Sequence, residues 1–121
     1  MIEIFQDFGF EAAHRLPNVP DGHPCGRMHG HSYRVRVTLR GELDPAMGWL
    51  CDYAEIMAAI EPLRAELDHH CLNEIDGLEN PTAEIIATWM FERLRARLPM
   101  LDELTLRETA TTGVTVRARD R

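Results

Sequence analysis

The sequence predicts an α+β domain in which two strands are followed by two helices and then two further strands. Three observations predict it. Apolar and polar residues alternate on both sides of a Pro/Gly/Asn/Asp-rich stretch near the amino end, which is the period of half-buried strands. Helical spacing with capping residues marks two segments in the middle, and alternation returns near the carboxyl end. At 121 residues and 45% hydrophobic, the whole of 1–121 reads as a single domain with enough apolar material for its own core.

The first strand is expected to be short. Ile2, Ile4, Phe8 and Phe10 alternate with mostly polar neighbours, and the same even parity runs on through Ala12 to His14, so His14 should face inward. Residues 16–24, Leu-Pro-Asn-Val-Pro-Asp-Gly-His-Pro, form a loop with Cys25 at its far end. In the second strand every odd position of Tyr33–Arg40 is apolar and every even one polar. His29 and His31 share the odd parity, so a strand that begins at or before His29 projects both rings toward the core, with Gly30 leaving the space between them open.

The first helix should start at Asp52, with Glu55 completing a capping-box pattern, and bury Ile56, Met57, Ile60, Leu63 and Leu67. Pro62 falls inside it and should kink or restart it. Asn80-Pro81-Thr82 opens the second helix, whose stripe is Ile85, Ile86, Trp89, Met90 and Leu94 and which ends before Pro99. Two strands close the chain, with Leu104, Leu106 and Glu108 on one face and Val114, Val116 and Ala118 on the corresponding face of the last. A core-side carboxylate at Glu108 is costly without a partner, and a cationic or amidine-like substrate edge would serve.

A formal net charge of -7 argues against a nucleic-acid partner, since phosphate contacts need a basic surface. The segment Met1–Asp7 lacks the pattern of a signal peptide and no apolar run reaches membrane-spanning length, so a cytoplasmic location with no membrane partner is expected. Three cysteines without a secretory signal read as free thiols.

Singly, His14 reads as an ordinary core or loop histidine and the His29/His31 pair as surface residues. Together the three supply the three-nitrogen, one-open-position set of a catalytic zinc site. Cys25 could be a fourth ligand, a nucleophile, a general base or a small buried residue. Asp68-His69-His70 is either a solvated turn or an oriented carboxylate–imidazole pair. Cys51 and Cys71 read as packing residues, His23 as a solvent-exposed loop residue, and Arg34, Arg36 and Arg40 as a solvated strand face.

The motifs Phe10-Glu11-Ala12-Ala13-His14-Arg15-Leu16, Cys25-Gly26-Arg27-Met28-His29-Gly30-His31-Ser32-Tyr33, Leu67-Asp68-His69-His70, Asn80-Pro81-Thr82 and Glu108-Thr109 closely resemble the 6-pyruvoyltetrahydropterin synthase superfamily along essentially the whole chain. Within it, the three residues between Cys25 and His29 resemble the carboxytetrahydropterin synthases of queuosine biosynthesis, the pyruvoyl-type enzymes having a longer gap. The resemblance implies one zinc ion per subunit on His14, His29 and His31. It implies Cys25 as general base, His69 as its partner in proton transfer, Asp68 as the carboxylate orienting His69, and Glu108 as the anchor of the pterin ring. The implied reaction is zinc-dependent conversion of 7,8-dihydroneopterin triphosphate to 6-carboxy-5,6,7,8-tetrahydropterin with release of acetaldehyde and triphosphate. No glycine-rich phosphate loop is visible, and Arg15 and Arg27 are offered for the triphosphate. The implied fold is the tunnelling fold (T-fold), a four-stranded antiparallel sheet in the order ββααββ with two helices on one face. Its subunits close into a barrel, as a homo-trimer or homo-hexamer. A related pterin side-chain lyase of pyruvoyl or aldolase type, and a non-catalytic zinc-binding assembly module, are the alternatives.

Overall fold

A computed structural model describes all of residues 1–121. Strands β1 (Ile2–His14) and β2 (His29–Gly41) are followed by α1 (Tyr53–Leu67), β3 (His70–Cys71), α2 (Ala83–Arg97), β4 (Leu101–Arg107) and β5 (Gly113–Arg117). The sheet runs β3-β1-β2-β4-β5. Four strands are antiparallel neighbours, as expected. The fifth, β3, corrects the expected count: it pairs parallel with Ala12 and Ala13 of β1. A two-residue bridge is too short to carry any period in sequence, so alternation could not find it.

The first strand is also longer than expected, 13 residues, because its pairing with β2 is unbroken from Ile2↔Gly41 to His14↔His29. Only its second half is deeply covered. Phe10, Ala12 and His14 are buried while Ile2 is exposed and Ile4 and Phe8 are half-buried. From β2, Tyr33, Val35, Val37 and Leu39 point the same way, and both helices pack over that face with Ile56, Ile60, Leu63, Met90, Phe91 and Leu94. The Phe10 and Tyr33 rings stack with centroids 4.7 Å apart and carry the core up to the edge of the histidines.

Asp52 caps α1 by accepting from the Ala54 N–H at 2.9 Å, while Glu55 makes no return bond, so the capping box is half-formed. Pro62 neither breaks nor restarts α1, which is continuous from Tyr53 to Leu67. The proline and Ala58, whose carbonyl loses its partner, both face solvent, where water can satisfy the freed oxygen. Thr82 caps α2 by accepting from the Ile85 N–H at 3.2 Å, so Asn80 and Pro81 lie outside the helix. Its core stripe is Ile86, Ala87, Met90, Phe91 and Leu94, and Ile85, one position off that stripe, is exposed. Glu108 follows the last residue of β4 directly, and Ala118 belongs to a closing 3-10 turn and not to β5. No helix is long and apolar enough to cross a membrane.

Candidate active site

The antiparallel register sets His14 opposite His29, with His31 opposite Ala12 two positions further along. Because side chains of a strand alternate, all three rings emerge on the helix-covered face. Their centroids lie 4.6 Å (His14–His29), 4.9 Å (His29–His31) and 5.1 Å (His14–His31) apart, with each pair edge-on. Gly30 lies between His29 and His31 in sequence and puts nothing between their rings. It belongs to the opposite face, where an added Cβ would make ordinary contact with the Ala12 carbonyl at 3.4 Å.

Backbone carbonyls orient two of the rings. His14 Nδ1 lies 2.8 Å from the Pro81 carbonyl and His29 Nδ1 2.7 Å from that of Arg27. A carbonyl only accepts, so Nδ1 holds the proton in both and each Nε2 presents a lone pair. Burial pushes the His14 pKa below its ordinary value, which keeps the ring neutral and able to ligate. Tyr33, whose hydroxyl is 3.4 Å from His14 Nδ1, is held protonated by its own burial. The Glu108 carboxylate enters the same cluster, 2.9 Å from His31 Nε2 and 3.7 Å from His14 Nε2.

His14 Nε2 and His31 Nε2 are buried without a hydrogen-bond partner, and the close Glu108 contact does not have the alignment of a hydrogen bond. Unpaired buried nitrogens are costly, and a cation on their lone pairs removes that cost. Ligand atoms from His14, His29, His31 and Glu108 lie within 4.8 Å of one another, so the donor set fits a metal ion.

Asp68 and His69 stand at the end of α1 beside the β3 edge. The Glu11 N–H donates to Asp68 Oδ1 at 2.8 Å, His69 Nδ1 is 2.9 Å from Oδ2, and Arg64 is 3.6 Å from Oδ2. The Glu11 amide, then His69 and Arg64, hold the Asp68 carboxyl below the ordinary carboxylate range, so it stays ionised and fixes the imidazole. His69 has a left-handed backbone with φ 59°, pinned by its N–H donating to the Glu11 carbonyl at 2.6 Å. A non-glycine residue adopts that conformation at a cost. The consequence is a ring pushed outward, 77% exposed, on a rigid base.

Cys25 is a half-buried free thiol in a 3-10 turn, Pro24–Gly26, whose carbonyl accepts from the Leu16 N–H at 2.8 Å. It hydrogen-bonds neither to His69 nor to the histidine cluster. Within the chain, His31 and His69 share a cavity of about 570 Å³ that is also lined by Glu11, Ser32, His70 and Cys71. Sequence reasoning missed what orients these groups: the carbonyls of Pro81 and Arg27, and the amide of Glu11. Backbone atoms leave no residue-type signal, although Pro81 was visible for another reason, as part of a helix start.

Fold and site together define a small α+β protein with a candidate metal centre of three histidines and a separate, oriented carboxylate–imidazole pair. The chain matches the family model described as 6-pyruvoyl tetrahydropterin synthase over residues 3–119. It belongs to that family. It is 40% identical over 116 residues to a 6-carboxy-5,6,7,8-tetrahydropterin synthase of Synechocystis sp., covering 91% of this chain and 88% of the relative. It is 37% identical over 90 residues to a dihydroneopterin monophosphate aldolase of Pyrococcus furiosus, covering 72% of this chain and 75% of the relative. Among solved structures, the 6-pyruvoyl tetrahydropterin synthase of Caenorhabditis elegans superposes with a TM-score of 0.90 at 28% identity, covering 97% of this chain and 95% of that one.

Proposed function

We infer that the protein converts 7,8-dihydroneopterin triphosphate and water to 6-carboxy-5,6,7,8-tetrahydropterin, acetaldehyde and triphosphate, as a zinc-dependent step of queuosine biosynthesis in the cytoplasm. The observation that carries this reading is the convergence of His14, His29 and His31 with two buried, unpartnered Nε2 atoms, in a chain 40% identical to a relative of that name.

In this reading His14, His29 and His31 hold one zinc ion, which supplies Lewis-acid polarisation of the substrate side chain. The residues of the chain do the rest. Cys25, as thiolate, takes a proton from the side chain, and His69, fixed by Asp68, returns one at a neighbouring carbon, so internal redox and carbon–carbon cleavage need no nicotinamide. Glu108 meets the amino and ring N–H donors of the pterin in a charge-assisted pair and holds the side chain over the histidines. Its approach to His31 supports that position next to the reacting atoms.

No hydrogen bond joins Cys25 to the Asp68–His69 pair within one chain, which supports a site completed between subunits of a homo-trimer or homo-hexamer. Both sheet edges are short strands, β3 and β5, open to such pairing. A second reading, a pterin aldolase, is favoured by the 37% identity to the Pyrococcus relative. Incubating zinc-loaded protein with dihydroneopterin triphosphate separates the readings. The carboxy synthase releases acetaldehyde, an aldolase yields hydroxymethyl-dihydropterin, and a non-catalytic module yields neither.

A further inference from the structure

His14 stands on the last rung of the β1–β2 ladder, opposite His29, so the chain leaves that pairing at Arg15. Ladders open most readily at their ends, and a metal ligand placed there needs a hold beyond the ladder itself. The segment after α1 supplies one. The His69 N–H donates to the Glu11 carbonyl at 2.6 Å, and β3 sets His70 beside Ala12 and Cys71 beside Ala13. The main chain then coils into a 3-10 turn, Leu72–Glu74, before it can pair with Arg15. Asn73 fills the missing place with its side chain. Its Oδ1 accepts from the Arg15 N–H at 3.0 Å and its Nδ2 donates to the Arg15 carbonyl at 2.8 Å. A peptide N–H only donates and a carbonyl only accepts, so the orientation of this amide is fixed. Asn73 follows Arg15 by 58 positions, the same offset as His70 from Ala12 and Cys71 from Ala13. The amide therefore continues the β3 register where the main chain has left it.

Arg15, gripped at both its backbone groups, lies between two parts of the site. On one side is His14, whose buried ring is held at Nδ1 by the Pro81 carbonyl at 2.8 Å. On the other is Leu16, whose N–H donates to the Cys25 carbonyl at 2.8 Å and ties down the turn that carries the thiol. Imidazole and thiol thus share one anchor. Asn73 bonds directly to neither, so its effect on them is one of placement.

We propose that Asn73 is a positioning residue: its amide clamps Arg15 and thereby places His14 for the metal and Cys25 for proton transfer. The proposal rests on the reading of His14 as a ligand and Cys25 as the base given above.

The test compares wild type with Asn73→Ala, which removes both bonds, and Asn73→Asp, which keeps the acceptor for the Arg15 N–H and loses the donor to its carbonyl. Leu98→Ala, a core change at the far end of the sheet, serves as a control for general destabilisation. Zinc affinity is read by chelator competition, and the alkylation rate of Cys25 by iodoacetamide is read by site-resolved mass spectrometry on the metal-free protein. Asn73→Ala should weaken zinc binding by about 10–100-fold and lower kcat in saturating zinc by about tenfold or more, with KM little changed. Its Cys25 should be alkylated several-fold faster, because the turn is no longer tied down. Asn73→Asp should fall between Asn73→Ala and wild type in all three. Either zinc affinity or Cys25 alkylation of Asn73→Ala within about twofold of wild type, or an equal change in Leu98→Ala, would overturn the clamp. Both readouts shifting as expected in a protein that turns over no pterin would support the clamp and remove the pterin reading instead.

Discussion

Removing His31 should cost stability chiefly when zinc is present. A ligand that binds only the folded state stabilises it by RT ln(1 + [L]/Kd), about 4 kcal/mol when zinc stands a thousandfold above its Kd. For a chain of 121 residues the entropy of unfolding is roughly 0.25 kcal/mol/K, so zinc raises Tm by about 16 °C. Loss of an outer-shell partner alone weakens metal sites about 10–100-fold, which is a lower bound for loss of a ligand. His31→Ala should therefore forfeit at least about 1.4–2.7 kcal/mol, or roughly 5–11 °C, in saturating zinc. In excess chelator the difference from wild type should shrink to a few degrees. The His31 side chain is 18% exposed, but its Nε2 is buried beside His14 and Glu108, so the site itself and not lost packing carries the effect. Scanning calorimetry with and without chelator measures it, alongside bound zinc. An equal Tm difference in both conditions, or a variant that retains stoichiometric zinc, would refute the three-histidine site. Acid adds a signed check. The unfolded His14 ring protonates near its ordinary 6.5 and the buried ring only below that, so protons favour unfolding. The metal-free protein should hold this contribution above pH 6.5 and lose it as pH falls toward the folded value.

Three further outcomes are expected. Cys25→Ala should keep its zinc and its fold while kcat falls by about 10²–10⁴; turnover at the wild-type rate would remove Cys25 as the base. Asp68→Asn should lower kcat by a comparable factor of about 10² or more, because the amide oxygen can still accept from the Glu11 N–H but the amide NH2 cannot accept from His69 Nδ1, so the fixed orientation of His69 is lost; a pH–rate profile unchanged on its His-dependent limb would contradict that. His69→Gly should be more stable than His69→Ala by about 1 kcal/mol, since only glycine occupies φ 59° freely, while both are inactive; equal stabilities in urea melts would mean that the left-handed backbone is not strained.

Much of the site was legible because a strand repeats every two residues. Even parity in β1 and odd parity in β2 bring His14, His29 and His31 to one face from segments separated by a long loop, and the antiparallel register then makes them neighbours. Caps were legible for a similar reason: Asp52 and Thr82 are side chains that answer a helix start. What was hidden is held by backbone. The Pro81 and Arg27 carbonyls that set the imidazole tautomers, and the Glu11 amide that fixes Asp68, look like any other peptide group in sequence. The two-residue β3 and the exposure of Ile85 were hidden because each depends on tertiary packing: a bridge to β1 in one case, one step of helix rotation in the other. His23 is solvent-exposed, as expected of a loop residue, and residue type alone did not announce that its Nδ1 accepts from the Cys25 N–H.

The most direct test of the account is product analysis of the zinc-loaded enzyme with 7,8-dihydroneopterin triphosphate. The account predicts one acetaldehyde and one 6-carboxy-5,6,7,8-tetrahydropterin for each substrate consumed, abolished by chelator and restored by zinc. Pyruvoyltetrahydropterin or hydroxymethyl-dihydropterin as the sole pterin product, without acetaldehyde, would contradict it.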